Sequence, residues 1–175
     1  AIVGPSLGQE AIQSGMMSFL VAFLLVLLYM AFFYSSAGLI ADIALIANVF
    51  FVFGVLTSIG ATLTLPGIAG IVLTIGMSVD ANVLLYERIR EELRSGKGLK
   101  LAISEAFSIR GAIPSIMDAN ITTGLTGLIL LVFGTGPIKG FATTLIIGIA
   151  TSLFCAIFIT RLIFEWQLRR KETLS

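Results

Sequence analysis

Two long stretches near the start of the chain contain no charged side chain, and their lengths suit helices that cross a membrane. Residues 11–41 carry no Asp, Glu, Lys or Arg, and neither do residues 43–79. A helix needs about 20 mainly apolar residues to cross a bilayer, so the first stretch accommodates one helix and the second two. Pro66 and Gly67 divide the second stretch, because proline breaks a helix interior but suits its first turn.

The apolar pattern continues towards the end of the chain and predicts five membrane-crossing helices. We number them spans one to five, at residues 15–34, 43–63, 68–86, 116–133 and 138–163. A charged segment at 88–113 separates spans three and four, and the turn sequence GTGP at 134–137 separates spans four and five. The pattern predicts an all-α fold, a polytopic membrane helix bundle that forms one transmembrane domain over residues 1–175.

The composition agrees with a location in the lipid bilayer. Hydrophobic residues make up 57% of the chain and charged residues only 12%, whereas about a quarter of the residues in a soluble domain are charged. The mean hydropathy is +1.05, and helices that are apolar on most faces lie in lipid or deep inside a bundle. The net charge is only +1, so nucleic acid is not an expected partner.

The chain has no histidine and a single cysteine, which limits the chemistry available to it. Histidine is the commonest metal ligand and the usual side chain that titrates near neutral pH. One cysteine excludes an internal disulfide and a zinc site built from several thiolates. We therefore expect no metal site and no cofactor, and we expect Cys155, which lies in an apolar run, to serve packing.

Basic residues cluster at two places and predict the orientation of the bundle. The first cluster lies between spans three and four and the second follows span five: Arg88, Arg90, Arg94, Lys97, Lys100 and Arg110, then Arg169, Arg170 and Lys171. With five crossings both clusters fall on one side, which the positive-inside rule assigns to the cytoplasm. The N-terminus and the turn at 134–137 are then expected outside.

Asp80 is the residue that points most directly to a function, because it is an acid within a predicted span. It lies about twelve residues into span three, or about 18 Å at the helical rise, within a hydrocarbon core about 30 Å thick. A carboxylate at the bilayer centre costs on the order of 2.5–3.5 kcal/mol, and the low dielectric favours the protonated form. A carboxyl that gains and loses a proton inside the membrane is what a proton relay requires.

Further polar residues lie on span three and on span four. Asp118, in the first turns of span four, is a second candidate for the relay. The candidates for lining a polar path are Asn82, Asn120, Thr122 and Thr123. We expect spans three and four to be antiparallel neighbours whose polar residues meet. A structural role is the alternative, since such residues also hold membrane helices together.

Two shorter segments are expected on the cytoplasmic side. Residues 35–41 are predicted to form a turn, followed by Asp42 at the start of span two, where an acid interacts favourably with the helix dipole; a transport role for Asp42 is the alternative. Residues 99–110 are predicted to include a short amphipathic helix with Ile103, Ala106 and Phe107 on its apolar face. We expect this helix to lie at the membrane interface, with a partner-docking face as the alternative.

Four segments resemble the SecD family of bacterial protein-export membrane proteins. Residues 76–92 (GMSVDANVLLYERIREE) are similar to the fourth-helix motif of that family. Residues 3–8 (VGPSLG), 118–123 (DANITT) and 134–141 (GTGPIKGF) resemble the junction before its second helix, its fifth-helix motif and the entry to its sixth. The resemblance covers essentially the whole chain, in order and at the expected spacing.

The resemblance implies a place for this chain in a larger assembly. The five spans would be helices two to six of one half of a transporter similar to the RND superfamily, in the bacterial inner membrane. A first helix and a large extracytoplasmic domain would precede them, and a SecF half, fused or separate, would pair with them. The implied partners are the SecYEG channel, an unfolded exported polypeptide and the lipid bilayer.

The resemblance also implies a function, although the residues alone are compatible with three more. Asp80 would match the membrane carboxylate needed for proton coupling in late-stage polypeptide export, a transport role without covalent chemistry of its own. An intramembrane aspartyl protease would need Asp80 and Asp118 to share a proton, and its Gly-x-Gly-Asp signature is absent at 76–79. A proton antiporter for small solutes would use the same membrane carboxylate, and a purely structural membrane subunit would need none.

Overall fold

The computed structural model describes residues 5–174, with side chains described for residues 8–35 and 37–170. All regular structure in this part of the chain is helical. The elements are α1 (Pro5–Ser58), α2 (Leu65–Arg94), α3 (Leu99–Ala106), α4 (Ile113–Phe133), α5 (Pro137–Phe154), a π-helical turn (Cys155–Ile159) and α6 (Thr160–Leu174).

The long helix α1 bends sharply at Ser35 and thereby forms two crossings. Ser35 has φ 51° and ψ −119°, a combination that lies outside the allowed helical regions for residues with a side chain. Gly38 lies inside the bend, where a Cβ would come within 2.0 Å of the Met30 carbonyl oxygen. The turn predicted at 35–41 is therefore shorter than expected, because span two already begins at Ala37.

Within the described part of the chain, five helices are long and apolar enough to cross a membrane. They are Gly8–Ser35, Ala37–Ser58, Leu65–Arg94, Ile113–Phe133 and Pro137–Arg170, and we keep the names spans one to five for them. The predicted all-α membrane bundle with about five crossings is confirmed. Span three begins beside Pro66, where the hydroxyl oxygen of Thr64 accepts a hydrogen bond from the Gly67 N–H at 3.1 Å.

Span three packs most closely against span five, through glycines that let the two backbones approach. A Cβ on Gly70 would lie 2.2 Å from Thr144 Oγ1, and a Cβ on Gly148 would lie 2.4 Å from Thr74 Oγ1. Spans three and four touch at few points, so the expectation that they are close neighbours along their length is wrong, although Asp80 and Asn120 border one pocket between them. The physical reason is that small residues, which permit close packing in membranes, face span five.

The short helix α3 covers the charged end of the bundle, the end at which span three stops and span four starts. Ala102, Ile103 and Ala106 are buried in α3, and Phe107 joins them in the same apolar core. The turn at 95–98 folds α3 back onto span three, so its apolar face packs on the protein itself. The apolar face is therefore not available to insert into lipid, while the location of α3 at the membrane interface stays a prediction.

Candidate functional site

Asp80 lies at the middle of span three and is exposed on the outer surface of this chain's bundle. It borders a small pocket between spans three and four, which Met77, Ala119 and Asn120 also line. Among the residues that the structure describes, no Lys or Arg forms an ion pair with Asp80. A carboxyl at mid-span that points away from its own bundle faces either lipid or another protein.

Asn120 is the predicted path residue that the fold brings to the Asp80 pocket. Its side chain is 5% exposed, and its Nδ2 donates a hydrogen bond to the Ile116 carbonyl oxygen at 2.7 Å. Its Oδ1 is buried and accepts no hydrogen bond, which is costly for a polar atom away from water. Asn120 is therefore a residue of the Asp80 pocket that carries an unpaired acceptor.

The remaining predicted residues of span four do not join Asp80 in this pocket. Asp118 and Thr122 are exposed and Thr123 is half-buried. The Thr122 hydroxyl donates to the Asp118 carbonyl oxygen at 2.8 Å, and the Thr123 hydroxyl donates to the Ala119 carbonyl oxygen at 3.0 Å. Both hydroxyls are thus satisfied within their own helix. Asp118 is not among the residues that line the Asp80 pocket, so this pocket does not bring the two aspartates together.

Asn82 lies on the opposite side of span three and is buried against span five. The Thr160 hydroxyl donates to Asn82 Oδ1 at 3.4 Å and to the Cys155 carbonyl oxygen at 3.2 Å. Thr160 directly follows the π-helical turn of span five, a type of irregularity that often occurs at functional positions. The contacts of Asn82 are therefore those of a residue that joins two helices.

A line of buried polar residues lies between spans three and five, and Asn82 is the member predicted from the sequence to line a polar path. Its members are Thr74, Ser78 and Asn82 on span three and Thr144, Ser152 and Thr160 on span five. Spacings of four residues on span three and of eight residues on span five place these residues on one face of each helix. That spacing is visible in the sequence, but it does not reveal which neighbouring helix the face meets.

Asp42 forms a second buried polar group, with Tyr86 of span three. One carboxyl oxygen of Asp42, Oδ1, and the Tyr86 hydroxyl are both buried without a hydrogen-bond partner. The two side chains are close enough to interact electrostatically. The helix dipole acts on side chains within the first turn of a helix. Span two begins at Ala37, so Asp42 lies after that turn. The predicted capping role of Asp42 is therefore wrong.

Glu92, near the end of α2, stabilises the turn between α2 and α3 through ion pairs. Its side chain is largely buried, and it pairs with Arg88 Nη2 at 2.8 Å and with the Lys97 ammonium group. The backbone N–H of Lys97 also donates to the Glu92 carbonyl oxygen at 3.3 Å. These links hold the turn that folds α3 onto span three.

The candidate site thus consists of Asp80, Asn120 and the pocket between spans three and four. Over residues 8–35 and 37–170, we find no group of three or more His, Cys, Asp or Glu side chains that could hold a metal ion. The arrangement places a carboxyl at mid-span next to Asn120, a residue of the same pocket whose buried Oδ1 has no hydrogen-bond partner.

Comparison with known sequences gives consistent matches over nearly the whole chain. The family described as "Protein export membrane protein SecD/SecF, C-terminal" matches residues 1–170. The protein translocase subunit SecD of Rhodothermus marinus is 58% identical over 174 residues, which cover 99% of this chain and 28% of that protein. The SecD subunit of Syntrophobacter fumaroxidans is 51% identical over 175 residues, which cover 99% of this chain and 32% of that protein. The chain therefore spans about a third of the length of these curated relatives.

Solved structures show the same fold. The crystal structure of SecDF from Thermus thermophilus, described as a translocon-associated membrane protein, superposes with a TM-score of 0.91 at 45% sequence identity. The match covers 96% of this chain and 23% of that one. SecDF in a super-membrane-facing form superposes with a TM-score of 0.87, also at 45% identity, over 95% of this chain and 23% of that one.

Proposed function

Because the chain belongs to the SecD/SecF family of protein-export membrane proteins, we propose that it couples proton movement to late-stage translocation of polypeptides. In this proposal the five spans are one half of an RND-like transporter in the bacterial inner membrane. The relatives carry the name of translocase subunits, which supports a role in translocation and a function without covalent chemistry of its own.

The observation that carries the proposal is the position of Asp80, at mid-span and facing out of its own bundle. An ionised carboxylate there costs on the order of 2.5–3.5 kcal/mol. Two changes remove that cost: protonation, or the approach of a cation from a second protein. The described residues of this chain supply no ion pair to Asp80, so in our proposal a SecF half supplies the cation. Switching between the two states shifts the preferred packing of the halves.

Asn120 completes this mechanism as the acceptor for the protonated state. Protonated Asp80 carries an O–H donor, and Asn120, which lines the same pocket, has a buried Oδ1 acceptor without a partner. A hydrogen bond between them would form only when Asp80 is neutral, because an ionised carboxylate has no proton to donate. Asn120 would therefore stabilise the protonated state selectively.

The other predicted residues keep supporting roles in the proposal. Asp118 is a second carboxyl of the relay, exposed near the charged end of the bundle, where protons would enter or leave. Thr122 and Thr123 line the polar path along span four, and Asn82 belongs to the same path from its position between spans three and five. An intramembrane protease gains no support, since Asp80 and Asp118 do not meet in the Asp80 pocket.

The curated relatives are longer than the part that this chain matches, so the proposal includes further domains as well as partners. We propose that a first helix and an extracytoplasmic domain precede the five spans and that a SecF half, fused or separate, pairs with them. The SecYEG channel and an unfolded exported polypeptide are the other partners. The basic clusters support an orientation with the charged end in the cytoplasm and the N-terminus of span one outside.

The test is replacement of Asp80 by Asn in the full-length protein with its partner half, reconstituted in proteoliposomes with the channel. Asp80→Asn should abolish proton-driven translocation, because Asn cannot titrate, while Asp80→Glu should retain part of it. Glu10→Gln, which removes an exposed carboxyl of span one outside the pocket, is the matched control and should behave like wild type. Wild-type rates of translocation and proton uptake in Asp80→Asn would refute the proposal.

A further inference from the structure

We propose that a groove between α3 and α6, at the charged end of the bundle, binds the headgroup of an anionic phospholipid. The polar side chains that line the groove are Lys100 and Ser104 of α3 and Arg161, Glu165 and Arg169 of α6. This groove lies outside the Asp80 pocket and shares no residue with it. Lipid binding there does not depend on proton coupling, only on the chain's place in a bilayer.

The charges of the groove favour an anion. Three of its lining side chains are basic and one, Glu165, is acidic. Glu165 Oε1 already pairs with Arg161 Nε at 3.1 Å, so the acid of the groove is engaged by one of its basic residues. The hydroxyl of Ser104 adds a neutral hydrogen-bond donor. A phosphodiester suits such a set, because its oxygens accept hydrogen bonds and its single negative charge complements a lining in which basic side chains outnumber acidic ones.

Arg161 is held in place for this task. Its guanidinium lies over the Phe107 ring, 6.0 Å from the centroid, while Nε is bonded to Glu165. A guanidinium carries N–H donors in a planar fork that matches two oxygens of one phosphate. The contacts with Phe107 and Glu165 thus restrict the Arg161 side chain before a ligand arrives.

The apolar residues beside the groove identify the anion as a lipid rather than a soluble phosphate. Leu162 is 63% exposed and Trp166 is 60% exposed. Each lies three residues before Glu165 or Arg169, so the two sets are neighbours on the surface of α6. Acyl chains can therefore lie along Leu162 while the phosphate enters the groove. Exposed Trp at the end of a span is typical of the membrane–water boundary, and basic pockets there are typical sites for anionic lipid headgroups.

The experiment measures lipid retention by the full-length protein with native mass spectrometry, after release from nanodiscs that contain phosphatidylglycerol and phosphatidylcholine. Wild type should retain the anionic lipid in preference to the zwitterionic one. The double variant Lys100→Gln with Arg169→Gln should retain about tenfold less of it, because two of the three cations are lost. Arg94→Gln is the matched control, since it removes an exposed cation of α2 that does not line the groove.

A second variant tests the sign of the charge argument. Glu165→Gln removes the negative charge among the lining residues, and its amide oxygen can still accept the hydrogen bond from Arg161 Nε, so it should increase retention of phosphatidylglycerol. Unchanged retention in the double variant, decreased retention in Glu165→Gln, or equal retention of the two lipids by wild type would overturn the proposal. Displacement of the lipid by millimolar inorganic phosphate would also overturn it, because the site would then recognise a soluble anion.

Discussion

At the scale of single residues, hydrogen bonding separates the polar side chains that the sequence grouped together. Asn82 and Asn120 each follow an aspartate in a repeated Asp-Ala-Asn triplet, and both are almost fully buried. Asn82 accepts a hydrogen bond from Thr160, whereas Asn120 keeps an unpaired Oδ1. The same triplet thus provides a helix-joining contact on span three and an open acceptor on span four.

Replacement of Asn120 by Leu should separate function from stability. Leu has a similar size, and the change removes only the bond to Ile116 together with a polar atom that has no partner. We expect the free energy of unfolding to stay within about 1 kcal/mol of wild type, while proton-driven translocation falls by about tenfold, since one hydrogen bond that stabilises protonated Asp80 is lost. Unfolding in mixed micelles and proton uptake in proteoliposomes measure the two effects.

The control for this variant is Thr126→Val. Thr126 is an exposed polar residue of the same span, and its hydroxyl is bonded to the Thr122 carbonyl oxygen. It should change neither quantity. If Asn120→Leu left translocation intact, the assignment of Asn120 as the acceptor for the protonated carboxyl would be wrong.

At the scale of the elements, one strained residue and a few glycines determine how the helices turn and pack. The bend between spans one and two depends on the positive φ of Ser35. The approach of spans three and five depends on Gly70 and Gly148, which leave room for Thr144 and Thr74. Apolar periodicity could not reveal either feature, because both arise from contacts at single positions.

Ser35→Gly should stabilise the protein, because glycine adopts positive φ without the steric cost that serine bears. We expect a gain of about 1 kcal/mol in the free energy of unfolding. Ser18→Gly, in the regular helical part of span one, should have the opposite effect, a loss of about 0.5–1 kcal/mol. Unfolding of the full-length variants in mixed micelles distinguishes the two. If both variants were destabilised alike, Ser35 would not have positive φ in the folded protein.

At the scale of the whole molecule, the charged end of the bundle is covered by α3 and the turn before it, whereas Asp80 is exposed at mid-span. The ion pairs of Glu92 tie the end of α2 to the turn before α3. The apolar face of α3, which includes Ile103, then packs on the core around Leu85. The bundle is therefore closed at its charged end, while Asp80 is exposed at mid-span.

Orientation can be tested with single cysteines, because native Cys155 is buried and should not react. A membrane-impermeant maleimide should label Ser95→Cys only in inverted membrane vesicles, since the basic cluster around it is expected in the cytoplasm. Thr135→Cys, in the turn between spans four and five, should be labelled only from the outer face. Labelling of both positions from the same side would contradict the five-crossing arrangement.

The sequence alone determined the number of crossings, because each needs a long, mainly apolar run, and it located an acid, Asp80, at the centre of a span. It also carried the family motifs around Asp80 and Asp118. Tertiary structure decided which helices meet, since span three's small residues face span five rather than span four. It decided that the apolar face of α3 packs inward, that Asp42 lies beside Tyr86, and that Asn120 rather than Asp118 shares a pocket with Asp80. Periodicity reports which face of a helix is polar or apolar, whereas the identity of the neighbour depends on contacts between residues distant in the chain.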